Sequence, residues 1–130
     1  MNRRGFLGAV IAAGLALGMR GPAKDSPAAV EDLVREALRR RRRLQFRYHG
    51  YLRQVEPHAL GRMKDGASVL LAWQVGGGSR SEPPPGWRNF QIAGIEAPGL
   101  REETFVRRPD YDPAKSDFRE ILAEVKDAPR

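Results

Sequence analysis

His58 is the first residue whose type could do chemistry, because it is one of only two histidines in the chain. A catalytic histidine needs a nucleophile or a second titrating group beside it. Glu56 is two residues away, but Pro57 disturbs the alternation that would align the two side chains. No serine lies in a nucleophile-elbow pattern, and GGGSRS lacks the Lys-Ser/Thr ending of a phosphate-binding P-loop. We therefore expect no enzymatic activity, which leaves His58 as a ligand contact or a structural hydrogen-bonding residue.

The composition restricts cofactors and favours one class of partner. The chain has no cysteine and only His49 and His58 as histidines. A zinc site usually needs three or four protein ligands, so we expect no metal and no cofactor. The formal net charge of +7 favours polyanionic partners such as nucleic acid, nucleotides or anionic lipid.

Arg88 is the most informative single residue. In WRNFQI it shares a strand face with Phe90 and Ile92, which must be the inward face. A guanidinium that points towards a core needs an anionic or hydrogen-bonding partner. One alternative is an internal partner, such as Glu56, or a position at the strand end where the charge reaches water. The other is an arginine at the mouth of a barrel that binds phosphate or carboxylate.

Two tryptophans and one basic run leave further alternatives open. Trp73 shares a face with Val69, Leu71 and Val75, which favours core packing. Trp87 follows a Gly/Pro-rich loop and could cover that loop or offer a surface on which bases stack. The run of arginines from 39 to 43 could be a solvated helix end, where cations complement the helix dipole, or a surface facing a polyanion.

These residues must be positioned by a helix and a set of short strands. Ser26-Pro27 predicts a helix start, and apolar residues at helical spacing extend it to about Arg41. The period then changes to two, which predicts strands. Asp65-Gly66 indicates a tight hairpin, and Pro57 indicates a bulge or break in the second strand. The predicted strands are 44–48, 52–64, 67–75, 87–92 and 103–107, followed by a helix that Asp117 and Glu120 would cap.

This order predicts a mainly β, α+β domain, with about five short antiparallel strands forming a small barrel between an N-terminal and a C-terminal helix. We assign this domain to residues 29–127. Residues 1–28 resemble a twin-arginine export signal, because Arg3 and Arg4 precede Phe6-Leu7 and a mildly apolar run. We therefore expect an exported, periplasmic protein. The alternatives are an uncleaved anchor, or a cytoplasmic protein whose start codon was assigned too far upstream.

The segments LQFRYHGYLRQVEPHAL, SVLLAWQ and WRNFQIAGI together resemble the WYL-domain family. The resemblance implies a Sm/SH3-like β-barrel and a regulatory sensor that binds nucleic-acid or nucleotide-like ligands through basic and aromatic residues. By position it implies ligand contacts at Tyr48, Arg53, His58 and Arg88, with Trp73 and Gln74 on the neighbouring strand. The chain departs from the family at the W-Y-L triplet, which is Val69-Leu70-Leu71, and at Gly94, where an arginine is common. It also leaves no room for the winged helix-turn-helix that most members carry, so we do not expect this chain alone to control transcription.

We therefore expect a non-enzymatic, WYL-like ligand-binding module whose partner is an anionic nucleotide or single-stranded nucleic acid. The alternative is an exported domain that binds a protein or a component of the cell envelope and has no role with nucleic acid. A homo-oligomer is also compatible with the sequence, because small β-barrels can pair through strand edges.

Overall fold

The first element of the computed structural model, which describes residues 26–127, is helix α1, Pro27–Arg40. The hydroxyl of Ser26 accepts a hydrogen bond from the backbone N–H of Ala29 at 3.2 Å, which caps the first turn. The helix ends at Arg41, whose positive φ of 52° closes the last turn. The apolar stripe of α1 is buried, as the sequence predicted, through Val30, Val34, Ala37 and Leu38.

Six strands follow the helix and form a single antiparallel sheet. Five of them are hydrogen-bonded in the order β4-β3-β2-β1-β5, and β6 pairs with β2 beside that path. The strands are β1 Arg42–Tyr48, β2 Tyr51–Arg62, β3 Ser68–Gly77, β4 Gly86–Gln91, β5 Glu96–Thr104 and β6 Glu120–Glu124.

Strand β2 organises the sheet because three strands pair with it. One edge of β2 pairs with β3 over residues 53–62, while β1 pairs with residues 51–55 and β6 with residues 59–62. The β2–β3 register shifts between Gln54 and Val55 and again between Pro57 and Ala59. The irregularity that Pro57 predicted is therefore present, and bulges of this kind bend a strand. The bend allows β1 and β6 to share one edge of β2.

The expectation of a barrel is wrong, because the sheet does not close. Strands β4 and β5 are its two ends, and the 3-10 turn Ile92–Gly94 connects them without pairing them. The hydroxyl of Tyr48 accepts a hydrogen bond from the backbone N–H of Gln91 at 3.1 Å, so a side chain satisfies a group on β4 that a closing strand would otherwise satisfy. The predicted fifth strand at 103–107 also lies earlier, at β5.

The predicted C-terminal helix is also wrong, because residues 120–124 form β6. The far half of β2 has an edge that β1 does not reach, and its backbone groups need partners. Strand β6 supplies them. Beyond its two ends, Arg119 N–H donates to the carbonyl of Arg62 and Val125 N–H to that of His58, each at 2.8 Å.

The core lies between α1 and the sheet face that carries Leu44, Phe46, Leu60, Leu70 and Phe90. All five of these side chains are almost completely buried. Residues 26–28 of the proposed signal segment belong to the start of α1, and the rest of that segment lies outside the described residues. Between residues 26 and 127, no helix has the length and apolar character needed to cross a membrane.

Candidate functional site

Arg53 is a buried cation at the start of β2. Only 5% of the residue is exposed. Its Nη1 donates to Oε1 of Gln74 at 3.2 Å, and its Nη2 donates to the carbonyl oxygen of Tyr48 at 3.1 Å. The guanidinium carbon lies 5.6 Å from the ring centroids of Tyr48, Tyr51 and Phe90. Aromatic rings and neutral oxygens therefore hold this side chain in place.

The charge of Arg53 has no carboxylate partner within residues 26–127, and its Nε is buried without a hydrogen bond. Burial lowers the pKa of Arg53, and the nearby positive charge of Arg88 lowers it further. Burying a cation without a counter-charge is costly, and leaving a donor unsatisfied adds to that cost. An anion reaching this position would relieve both.

Arg88 on β4 is the second cation of this region, and it also has a buried Nε without a partner. Its Nη2 donates to the backbone carbonyl of Glu82 in the loop before β4. The internal ion pair considered from the sequence is not formed, because Glu56 pairs with Arg43 at 2.9 Å. Arg53 and Arg88 are therefore two neighbouring arginines that share no internal carboxylate.

Both arginines line a cavity of about 240 Å³, which we call the arginine pocket. Part of its wall comes from the loop between β3 and β4, and three of its residues are arginines while none is acidic. Arginine can bind phosphate or carboxylate through two parallel hydrogen bonds, so such a lining is chemically suited to an anionic group. The lining residues are Tyr48, His49, Arg53, Ser79, Arg80, Ser81, Arg88, Asn89 and Phe90.

Gln74 connects Arg53 to the loop that forms this wall. Its side chain is fully buried. While Oε1 accepts from Arg53, its Nε2 donates to the carbonyl oxygens of Gly76 and Gly78, at 2.9 and 3.0 Å. Gln74 thus fixes the position of Arg53 from behind the pocket. The structure brings four of the six residues singled out from the sequence to one place: Tyr48, Arg53, Gln74 and Arg88.

His58 lies elsewhere and is fully buried. Its Nδ1 lies 2.9 Å from the carbonyl oxygen of Glu56, and its Nε2 accepts a hydrogen bond from the backbone N–H of Arg108 at 3.0 Å. Because a carbonyl can only accept, Nδ1 carries the proton and the ring is neutral. Burial lowers the pKa of His58. With both ring nitrogens bonded to backbone, His58 joins β2 to the segment that follows β5.

Trp73 is also outside the arginine pocket. The buried face of β3 carries Leu70, Ala72 and Gln74, so Trp73 lies on the opposite face and not in the main core. Its ring packs edge-on against Trp87 with centroids 5.4 Å apart, and the guanidinium carbon of Arg108 lies 3.6 Å from its centroid. A cation of the chain itself already stacks on this ring.

The arginine run at residues 39–43 mostly bonds within the domain. Arg39 and Arg40 both pair with Glu36. Arg42 donates to the carbonyl of Arg101, and Arg43 pairs with Glu56. Because these arginine side chains already have partners within the domain, the structure favours a solvated helix end over a surface that faces a polyanion.

Sequence reasoning missed three kinds of pocket residue: His49 in a turn, Asn89 on β4, and the loop residues Ser79, Arg80 and Ser81. The GGGSRS segment showed that a cation was present, but a Gly-rich loop gives no periodicity from which to place it. No cluster of His, Asp or Glu within residues 26–127 could hold a metal ion.

A comparison with protein families identifies the domain that carries these residues. The model of the WYL domain matches residues 29–98, which is just over half of the chain and includes most of α1, β1 to β4 and every residue of the arginine pocket. No curated protein and no solved structure is significantly similar to the chain. On the strength of the family match, the chain belongs to the WYL-domain family.

Proposed function

We propose that this WYL domain is a sensor module whose arginine pocket binds an anionic ligand, either a nucleotide or single-stranded nucleic acid. WYL domains are common in regulators that bind nucleic acids or other ligands, which is consistent with a sensor. The observation that carries the proposal is Arg53, a cation only 5% exposed that no carboxylate of residues 26–127 neutralises. Arg88 stands beside it with its own unbonded Nε.

We also propose that the module is not an enzyme. His58, the residue whose type best suited a general base, is neutral and bonded to backbone at both nitrogens. A general base must be within hydrogen-bond reach of the proton that it removes. A buried histidine with no free nitrogen does not meet that requirement.

Arg88→Ala tests the binding proposal most directly. We expect short single-stranded DNA to bind the wild-type protein at low salt and to bind the variant about 10- to 100-fold more weakly, because a hydrogen bond to a charged group contributes about 1.5–3 kcal/mol. Fluorescence anisotropy of a labelled oligonucleotide measures this. Low salt matters because phosphate contacts weaken steeply as salt rises.

Arg47→Ala is the matched control. Arg47 is exposed on β1, and it alternates with Phe46 and Tyr48, so it points away from the pocket face. The two variants lose the same charge from different faces. Equal weakening by both would mean that only net charge attracts the DNA, and would contradict a role for the pocket.

For the N-terminus we propose a twin-arginine-type export signal in residues 1–28. The support is the R-R-x-F-L sequence and the apolar run that follows it. Export would favour the second candidate function, in which the domain binds a protein or a component of the cell envelope. The pocket would then serve an acidic group of that partner, and a homo-oligomer would also be compatible with β4 and β5 as the end strands of the sheet.

A further inference from the structure

His49 occupies an unusual place beside the arginine pocket. It is the first residue of the two-residue turn His49-Gly50 that joins β1 to β2. Its φ is 51° and that of Gly50 is 81°, the two positive values that a type I′ hairpin turn requires. The exposed imidazole ring lines the pocket, and its side chain makes no hydrogen bond within residues 26–127.

The ring of His49 nevertheless has an aromatic partner. It stacks on the ring of Tyr48, with centroids 4.2 Å apart and planes 23° from parallel. Tyr48 is fixed in turn by edge-on contact with Phe90, at 5.0 Å, and by its hydrogen bond from Gln91. One face of the imidazole therefore lies against Tyr48, and His49 is an exposed residue of the pocket lining.

The volume of the pocket limits what can enter it. Sites that enclose a whole small-molecule ligand typically measure about 300–1,000 Å³. The arginine pocket measures about 240 Å³. A nucleotide whose phosphate lies at Arg53 and Arg88 would then extend out of this open pocket, and His49 is the exposed aromatic residue of its lining.

We propose that His49 is a stacking platform that makes the arginine pocket selective for a nucleoside phosphate unit, with the phosphate at Arg53 and Arg88 and the base against the imidazole. This inference rests on the proposed function and adds to it the residue that would select for the base. Aromatic side chains stack on any base, because every base has a π-face. A sugar phosphate, inorganic phosphate or acidic peptide has the charge but lacks the planar group.

The test compares AMP with ribose 5-phosphate, which differ by the base alone. We expect isothermal titration calorimetry of the full chain to give an affinity for AMP about ten-fold or more above that for ribose 5-phosphate, as one base stacked on an aromatic ring provides. A short 5′-phosphorylated oligo(A) in the same titration distinguishes a free nucleotide from the end of a strand as the source of the unit.

His49→Asn removes the ring and keeps the turn, because Asn-Gly is the preferred pair for a type I′ turn. We expect this variant to bind AMP only as well as ribose 5-phosphate, with the affinity for ribose 5-phosphate unchanged. His49→Phe restores an aromatic surface, so it should recover most of the difference.

Two results would overturn the inference, and they differ in what else they overturn. If AMP and ribose 5-phosphate bind the wild type equally, or His49→Asn weakens both equally, the stacking platform is refuted while the anion pocket stands. If neither compound nor the oligonucleotide binds the wild type at low salt, the proposed function fails together with the inference.

Discussion

His58 shows how the fold fixes the protonation state of one side chain. The ring donates to Glu56 and accepts from Arg108, which requires the neutral form with the proton on Nδ1. A second proton on Nε2 would face the Arg108 N–H and find no acceptor there. Arg107 and Arg108 disfavour that charge, Asp110 favours it, and burial is the main reason that the pKa is lowered. The aromatic neighbours of the ring are Trp87, Phe105 and Tyr111.

We expect the domain to lose stability as the pH falls from 7 towards 5. The unfolded chain protonates His58 near its ordinary pKa of about 6.5, while the folded state takes up the proton only at lower pH. The unfolded state therefore binds more protons in this window, and the free energy of unfolding falls by up to about 1.4 kcal/mol per pH unit. Urea denaturation at a series of pH values measures this slope.

His58→Gln provides the control because glutamine does not titrate. This variant should be less stable at pH 7 by about 1–3 kcal/mol, since at least one backbone group loses its partner. Its stability should change much less between pH 7 and pH 5. An unchanged slope would assign the pH dependence to other groups and would contradict the account of His58.

The close approach of β6, and of Phe118 just before it, depends on Gly61 of β2. A Cβ atom added at Gly61 would lie 2.5 Å from Cγ and Cδ1 of the Phe118 ring, which is closer than real contacts allow. The ring packs directly over the backbone at this point, and Gly61 pairs with Ile121 of β6. The absence of a side chain at residue 61 therefore lets the C-terminal segment approach β2.

Gly61→Ala should destabilise the domain by about 1–3 kcal/mol, the usual cost of forcing atoms into a packed site. Chemical denaturation measures this value. Phe118→Ala in the same chain should remove much of the penalty, because the clashing ring is gone. A double-mutant cycle then gives a coupling energy of about 0.5–3 kcal/mol. Additive effects would show that residues 61 and 118 are not in contact.

Local patterns predicted the elements whose partners are close in sequence. The cap and apolar stripe of α1 and the Asp65-Gly66 turn all depend on neighbours along the chain, and the structure confirms them. The prediction of a C-terminal helix failed because apolar residues at helical spacing lie beside an edge of β2 that β1 does not cover. These residues are Phe118, Ile121, Leu122 and Val125. That edge exists only once the sheet has formed, so no local pattern contains it.

The residues of the candidate site were also predictable only in part. The family resemblance grouped Tyr48, Arg53, Gln74 and Arg88, and alternation along the strand separately placed Arg88 on the inward face. The structure brings these four residues together. His49 and Arg80 were missed because a turn and a Gly-rich loop lack a period. His58 was grouped with the arginines by its motif, and the bulge at Pro57 instead accompanies a side chain packed against Trp87.

At the scale of the whole molecule, charge and export are connected. The full chain has 23 basic and 16 acidic residues. Residues 1–28 contain four of the basic residues and one acidic residue, so their removal leaves 19 minus 15, or +4. A processed protein would keep every arginine of the pocket while its general attraction to polyanions decreased. Binding by the pocket and attraction by net charge are thus separable.

Intact-mass analysis of the protein purified from its native cells tests the export signal. We expect a mass that lacks about the first 28 residues, because a signal of this kind is removed on export. Replacing Arg3 and Arg4 by lysine is the matched control, since it keeps the charge and removes the twin-arginine pair. A full-length mass in both cases would contradict a cleaved signal.

Strand β2 contains both Arg53 and His58, which are five residues apart. One register shift, at Gln54–Val55, lies between them, and a second, at Pro57–Ala59, spans His58. Arg53 contacts Phe90 on one face of β4, while His58 contacts Trp87 on the other. A single bent strand therefore supplies both the buried cation of the arginine pocket and the histidine that holds the backbone of Arg108 on the other side of the sheet.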